Sequence, residues 1–275
     1  LVVEVNFQLV IINYYQDRDR YYDEDEDEIY YEQLSRGRIR ETVIRPNGVK
    51  IVTIRDRHGE VLKRSKILPN GTEIILAAYD RNDDDDVELI WQDPGDQLPP
   101  LRLTISAGDY ILDSDTADEE EIELFLDEPP VEQVQRIYSI EEVKRSARIR
   151  DMVRRLEVGN LTFESGSANI AQDQVGALSK VAKAMQKLLE RNPAEVFLIE
   201  GHTDAVGSDV SNLALSDVRA ATVADILTEF YDIPAENLVT QGYGERYLKV
   251  KTETAEELNR RVTFKRITPL ISYSN

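Results

Sequence analysis

The feature that most constrains this chain is a change of periodicity across residues 196–230. Val196-Phe-Leu-Ile199 is a short apolar run and reads as a buried strand. It empties into a polar loop holding Gly201 and Gly207, and the loop feeds an amphipathic helix expected to begin near Asn212. Leu215, Val218, Thr222, Ile226 and Phe230 approximate one face of that helix. Asp204 then lies just past a strand end, with Arg219 about two turns into the helix. If the helix folds back along the strand, a carboxylate and a guanidinium converge on one pocket. Such a pocket suits a ligand carrying both an ammonium and a carboxylate.

The flanks extend this unit. Leu161-Thr-Phe163 reads as a short strand and Glu164-Ser-Gly-Ser as a loop. Val175, Leu178, Val181, Met185 and Leu188 fall on one helical face, and Asn192-Pro193 stops that helix. After the Arg219 helix, Ile233-Pro234 marks a break, and Leu238–Gln241 reads as a strand. Gly242 and Gly244 form a loop, and Arg261–Ile267 reads as the last strand. The order β-α-β-α-β-β places two helices on one face of a mixed sheet, an α+β arrangement.

Several blocks here resemble the OmpA-like peptidoglycan-binding domain: Gly201-His-Thr-Asp204 with Gly207-Ser208, Asn212-Leu213, Leu215-Ser216, Arg219-Ala220, Leu238–Glu245 and Asn259-Arg-Arg-Val262. The resemblance covers about residues 158–267, with the family's blocks in order. It implies that Asp204 and Arg219 hold the diaminopimelate of the peptidoglycan stem peptide, and that Asn212 lines the pocket. Thr203, Arg260 and Arg261 are the further binding candidates that it implies. It also implies a Gram-negative envelope: a periplasmic or outer-membrane-associated protein. The family's usual companion is a membrane barrel or a lipid anchor.

The first half has a different character. Pro46-Asn47-Gly48 recurs as Pro69-Asn70-Gly71, with Arg57-His58-Gly59 between them, and the flanking runs are β-branched and partly alternating. Asn-Gly between such runs is a strong hairpin signal, so a β-meander is expected. Leu1–Ile12 alternates and reads as a strand. Tyr14–Glu32 reads as a solvated acidic segment, lacking the spaced oxygens and turn glycine of a calcium loop. Asn82–Asp86 and Gln92–Asp96 are acidic and turn-rich, and Leu101–Ile105, Tyr110–Leu112 and the alternating Ile122, Leu124 and Leu126 suggest strands. Pro129-Pro130 punctuates the chain, and Ser139-Ile-Glu-Glu142 has the form of a capping box, opening two short helices. The expected organisation is a β-rich domain over 1–126, a short helical connector over 127–157 and an OmpA-like domain over 158–275.

Charge and composition narrow the function. Residues 1–150 carry 35 acids against 19 bases, which disfavours a nucleic-acid partner. With no cysteine there is no disulfide, thiolate metal site, cysteine nucleophile or lipid-modified cysteine in the chain as given. No run of about eighteen apolar residues predicts a transmembrane helix. The amino-terminal strands are too charged on both faces for an outer-membrane barrel. The chain begins at Leu1 without an initiator methionine, and a mature or truncated product is expected.

His202 and His58 are the only histidines, too few for zinc, and His202 reads as a packing residue. Ser208 or Ser211 with His202 and Asp204 lacks the strand–nucleophile–helix elbow of a hydrolase. Gly242-Tyr-Gly244 is too short for a phosphate loop, and no cofactor motif is present. The expectation is a non-catalytic envelope protein binding peptidoglycan, with other envelope proteins as possible partners. The alternatives are a scaffold whose OmpA-like fold makes protein contacts, and a wall hydrolase with its chemistry in residues 1–150.

Overall fold

In the computed structural model the described residues are 20–79, 91–159, 161, 163, 167, 168, 170 and 172–272, with backbone alone at 2–5, 8–11, 172 and 173. Among the described residues there are three sheets, the first being the antiparallel pair β1 (Val2–Val5) and β2 (Gln8–Ile11). The alternating Leu1–Ile12 run is thus two short strands rather than one; its side chains lie outside the described residues. So do Asn82–Asp86 and the Glu164-Ser-Gly166 stretch.

The second sheet is the expected meander: β3 (Glu28–Gln33), β4 (Ile39–Ile44), β5 (Lys50–Arg55), β6 (Val61–Ile67) and β7 (Glu73–Ala78), antiparallel in chain order. Its last three hairpins share one turn. Arg45, Asp56 and Leu68 donate their N–H to the carbonyls of Val49, Glu60 and Thr72 at 2.9, 3.0 and 2.9 Å. Gly48, Gly59 and Gly71 close each turn at φ 81°, 87° and 85°, a region only glycine enters freely. Asn47 and Asn70 accept from the backbone two residues on, and at the middle turn the Asp56 carboxylate does the same for His58 and Glu60.

The third sheet holds β8 (Ile111–Asp113), β9 (Arg155–Val158), β10 (Phe197–Gly201), β11 (Leu238–Gly242) and β12 (Val262–Arg266), in the order β11-β10-β12-β9-β8. Strands β10 and β11 are parallel, as are β8 and β9; β12 runs antiparallel to its two neighbours. The helices lying wholly among the described residues are α1 (Ala107–Tyr110), α2 (Glu119–Asp127), α3 (Ile140–Arg145), α4 (Ala147–Arg150), α5 (Ser179–Arg191), α6 (Asp209–Tyr231) and α7 (Thr268–Ile271). One face of the sheet packs on α2, α5 and α6 through Phe197, Ile199, Leu238, Val262 and Phe264. The opposite face presents Val196, Leu198, Val239 and Ile267 to α3, α4, α7 and the meander residues Val61, Leu76 and Ala77.

The structure corrects several expectations. Ile122, Leu124 and Leu126 lie in helix α2, not a strand. Asp118 caps it, Glu119–Glu121 favour its positive end, and Ile122, Phe125 and Leu126 are buried while Leu124 is exposed. Leu101–Ile105 forms no strand. Leu161 and Phe163 are buried outside any strand, and the first strand of the β-α-β-α-β-β order is β9 instead. β8 precedes residue 127, α2 crosses 126/127 and β9 crosses 157/158, and all three belong to the third sheet and its helical layer. The capping box at Ser139 and Glu142 is formed as expected.

The buried face of α6 differs from the expected one. Val218 and Phe230 are exposed, whereas Asn212, Leu213, Ser216, Asp217, Arg219, Ala220, Val223, Ala224, Ile226 and Leu227 are buried. The helix starts at Asp209, capped by Ser208. It lies so close to the strand ends that a Cβ on Gly201 or Gly242 would collide with the backbone at Ser216 or Asp217. Close approach requires small residues, and the strand-end loops need hydrogen bonds, so the inner face is small and polar around Ser216 and Asp217. A hydrophobicity pattern is therefore offset from the true inner face there.

Candidate functional site

The site is built where the ladder of the third sheet runs out. Beyond Gly201, His202 still donates its N–H to the Arg261 carbonyl and Thr203 its own to that of Gly244, both at 3.0 Å. Asp204 is therefore delivered between the loop after β11 and the loop before β12. It is 8% exposed. One of its oxygens accepts from Arg260 Nη1 at 2.8 Å and the other from the Val206 N–H at 3.2 Å. Asn212, in the first turn of α6, donates to the Asp204 carbonyl at 3.3 Å and to Glu245 Oε2 at 2.5 Å.

Arg219 enters from two turns further along α6 and is 2% exposed. Its Nε donates to the Ser167 carbonyl at 2.9 Å, and its guanidinium lies 4.7 Å from the centre of the Phe163 ring. Burial and then the nearby Arg260 push its pKa down to about 10, with Asp204 partly opposing them. Arg219 thus stays cationic at neutral pH and lies within electrostatic reach of both partners. Both charges expected to converge here are buried.

The implied residues do not all meet. Asp204, Asn212, Arg219 and Arg260 come together. Arg261 turns away: it donates to the Tyr247 carbonyl at 2.9 Å and lies 3.8 Å from Glu157. Thr203 is buried, and its hydroxyl has no hydrogen-bond partner. The candidates of the sequence reading omitted Glu245, Phe163 and Ser167. Glu245 closes the Leu238–Glu245 block, so its signal was present; nothing in the spacing marks the other two.

Behind the loop, His202 packs against Tyr243 and Tyr247, with ring centroids 5.9 and 6.5 Å away. Neither of its ring nitrogens has a hydrogen-bond partner, so no serine–histidine pair is made. Burial, followed by the charges of Arg261, Arg155, Arg150 and Lys265, holds its pKa well below the ordinary histidine value. Ser208 and Ser211 are bonded to one another at the start of α6, at 2.9 Å.

The OmpA family model matches residues 162–261. Outer membrane porin F of Pseudomonas aeruginosa is 37% identical over 105 residues, 38% of this chain and 29% of that protein. Motility protein B of Bacillus subtilis is 34% identical over 109 residues, 38% of this chain and 40% of that protein. The similarity thus spans well under half the length of either relative. Among solved structures, the periplasmic domain of Helicobacter pylori MotB is 27% identical with a TM-score of 0.34, covering 41% of this chain and 73% of that one. On the family match, residues 162–261 are an OmpA family domain. Among the described residues no helix is long and apolar enough to cross a membrane.

Proposed function

We propose that this chain is a non-catalytic, peptidoglycan-associated protein of the cell envelope, whose OmpA family domain grips the diaminopimelate of the stem peptide. The observation that carries this reading is the convergence of Asp204, Arg219 and Arg260 from three separate segments onto one buried locus. Asp204 takes the ligand ammonium, and Arg219 takes the carboxylate with its two-pronged fork. Arg260 holds the Asp204 carboxylate in place, and Asn212 fixes the loop that carries it. A periplasmic, outer-membrane-associated location follows from the same reading, supported by the likeness to porin F.

The test is calorimetric titration with a diaminopimelate-containing stem peptide, beside pull-down on purified sacculi. Asp204→Asn keeps the side-chain shape and removes the charge. It should weaken binding by about 2 kcal/mol, near thirtyfold, because the ligand ammonium is left unmatched. Arg219→Lys should restore only part of the affinity lost in Arg219→Ala. Because Arg219 is buried over Phe163, a melting curve accompanies each variant. Unchanged affinity in a folded Asp204→Asn protein would overturn the clamp and favour a scaffold role.

A further inference from the structure

A second charged site lies beside the first. The loop after β11, the start of β9 and the residue before β12 enclose a cleft of about 680 Å³ lined by Arg155, Arg246, Lys249, Lys251, Arg261 and Glu253. Five cations against one carboxylate form the wall, in a chain whose net charge is −20. The second carboxylate within reach, the buried Glu157, is shared by Lys249 at 2.6 Å, Arg155 at 3.3 Å and Arg261 at 3.8 Å. Arg155 and Arg261 both face Glu157 through Nε, yet neither buried Nε–H makes a hydrogen bond to it. Arg261 is 5% exposed, so water does little to compensate it.

We propose that this cleft is an anion site for a phosphate group, separate from the Asp204 clamp. The separation is built into one dipeptide, since Arg260 serves Asp204 while Arg261 lines the cleft. Phosphate fits better than carboxylate for two reasons. Its higher charge matches the excess of cations, and its three or more oxygens accept from several guanidinium and ammonium donors at once. The overall negative charge of the chain does not prevent this, because fields beyond about 8 Å are largely screened at physiological ionic strength. The phosphate is either soluble or the headgroup of an anionic lipid.

Titration of the whole chain with inorganic pyrophosphate tests the site. Saturable binding is expected, weaker at raised salt. Charge reversal at the exposed pair, Arg246→Glu with Lys251→Glu, should weaken it at least about tenfold. Equal charge reversal on the meander, Arg36→Glu with Lys50→Glu, should leave it unchanged, and sacculus binding should survive in both. Lys251→Gln serves as a milder probe should the double variant melt early. Absence of saturable binding, or equal weakening by the two double variants, overturns the proposal. Co-sedimentation with phosphatidylglycerol–phosphatidylcholine vesicles separates the sources. Binding lost with the cleft cations identifies a headgroup, whereas pyrophosphate binding without vesicle binding identifies soluble phosphate. Vesicle binding that the cleft variant retains counts against the site.

Discussion

At the scale of single residues, the site sets charges into places where water cannot help them. Asp204 has Arg260 and the Val206 N–H, whereas His202, two positions earlier, has no polar partner for its ring. Its depressed pKa has a definite consequence for stability. In the unfolded chain a histidine binds its proton near pH 6.5, while in the folded protein His202 remains neutral to well below that value. Between those limits the unfolded state holds more protons, so stability is lost as the pH falls. The contribution is complete above about pH 7 and declines by up to about 1.4 kcal/mol per pH unit below the unfolded value. His202→Phe keeps a ring against Tyr243 and Tyr247 and removes the titration. Urea unfolding of both proteins from neutral to acidic pH should show the variant gaining on the wild type as the pH drops. A constant difference would contradict the assignment.

At the scale of elements, α6 is the organising piece, and its closeness to β10 and β11 explains its composition. Asp217 accepts from the Gly242 N–H at 3.0 Å and Ser216 from the Gly244 N–H at 2.8 Å, so buried polar side chains tie down the end of β11 and the loop after it. Each bond shapes the loops that flank Asp204. Gly242→Ala would drive a methyl group into the backbone at Asp217 and the Ser216 hydroxyl. The helix must then lift, at a cost of about 1–3 kcal/mol or more, and the Asp204 and Arg219 segments separate. A lowered urea midpoint together with loss of stem-peptide binding is expected. An unchanged midpoint would show that the helix does not rest on the strand there.

At the scale of the whole molecule, the meander and the OmpA family domain share a core. Val61, Leu76 and Ala77 join Val196, Leu198 and Val239 in one apolar cluster, and Arg45 and Lys66 meet the fully buried Glu236 at 2.8 and 2.9 Å. Burial alone would raise the Glu236 pKa, but Arg45 and then Lys66 outweigh it and hold the carboxyl below its ordinary value. The sheet also relies on β8, β9 and the α3–α4 pair. Lys265 donates to the Arg150 carbonyl at 3.0 Å, and Arg150 pairs with Glu200 at 3.0 Å, all buried. A fragment of residues 158–275 strands these charges and bares the back of the sheet, so it should not fold cooperatively. A fragment of residues 107–275 should fold, with a lower melting temperature than the full chain. Circular dichroism melting distinguishes them, and a sharp transition in the shorter fragment would show that the OmpA family domain needs none of the preceding elements.

The sequence by itself determined what depends on local pattern. The Asn47-Gly48 and Asn70-Gly71 turns follow from the positive φ that glycine accepts, and β10, β11, β12 and α5 follow from apolar runs and helical spacing. The placement of Asp204 and Arg219 at corresponding points of a strand–loop–helix was legible for the same reason. Only the tertiary structure decided what depends on neighbours distant in the chain. It turned Arg260 toward Asp204 and Arg261 toward Glu157, and it rotated the buried face of α6 away from Val218 and Phe230, because the approach of Gly201 and Gly242 selects small and polar residues near the strand ends. It also made β8 and α2 part of the OmpA family sheet and its helical layer. Those outcomes are set by burial and by hydrogen bonds between segments far apart in sequence, which local periodicity does not encode.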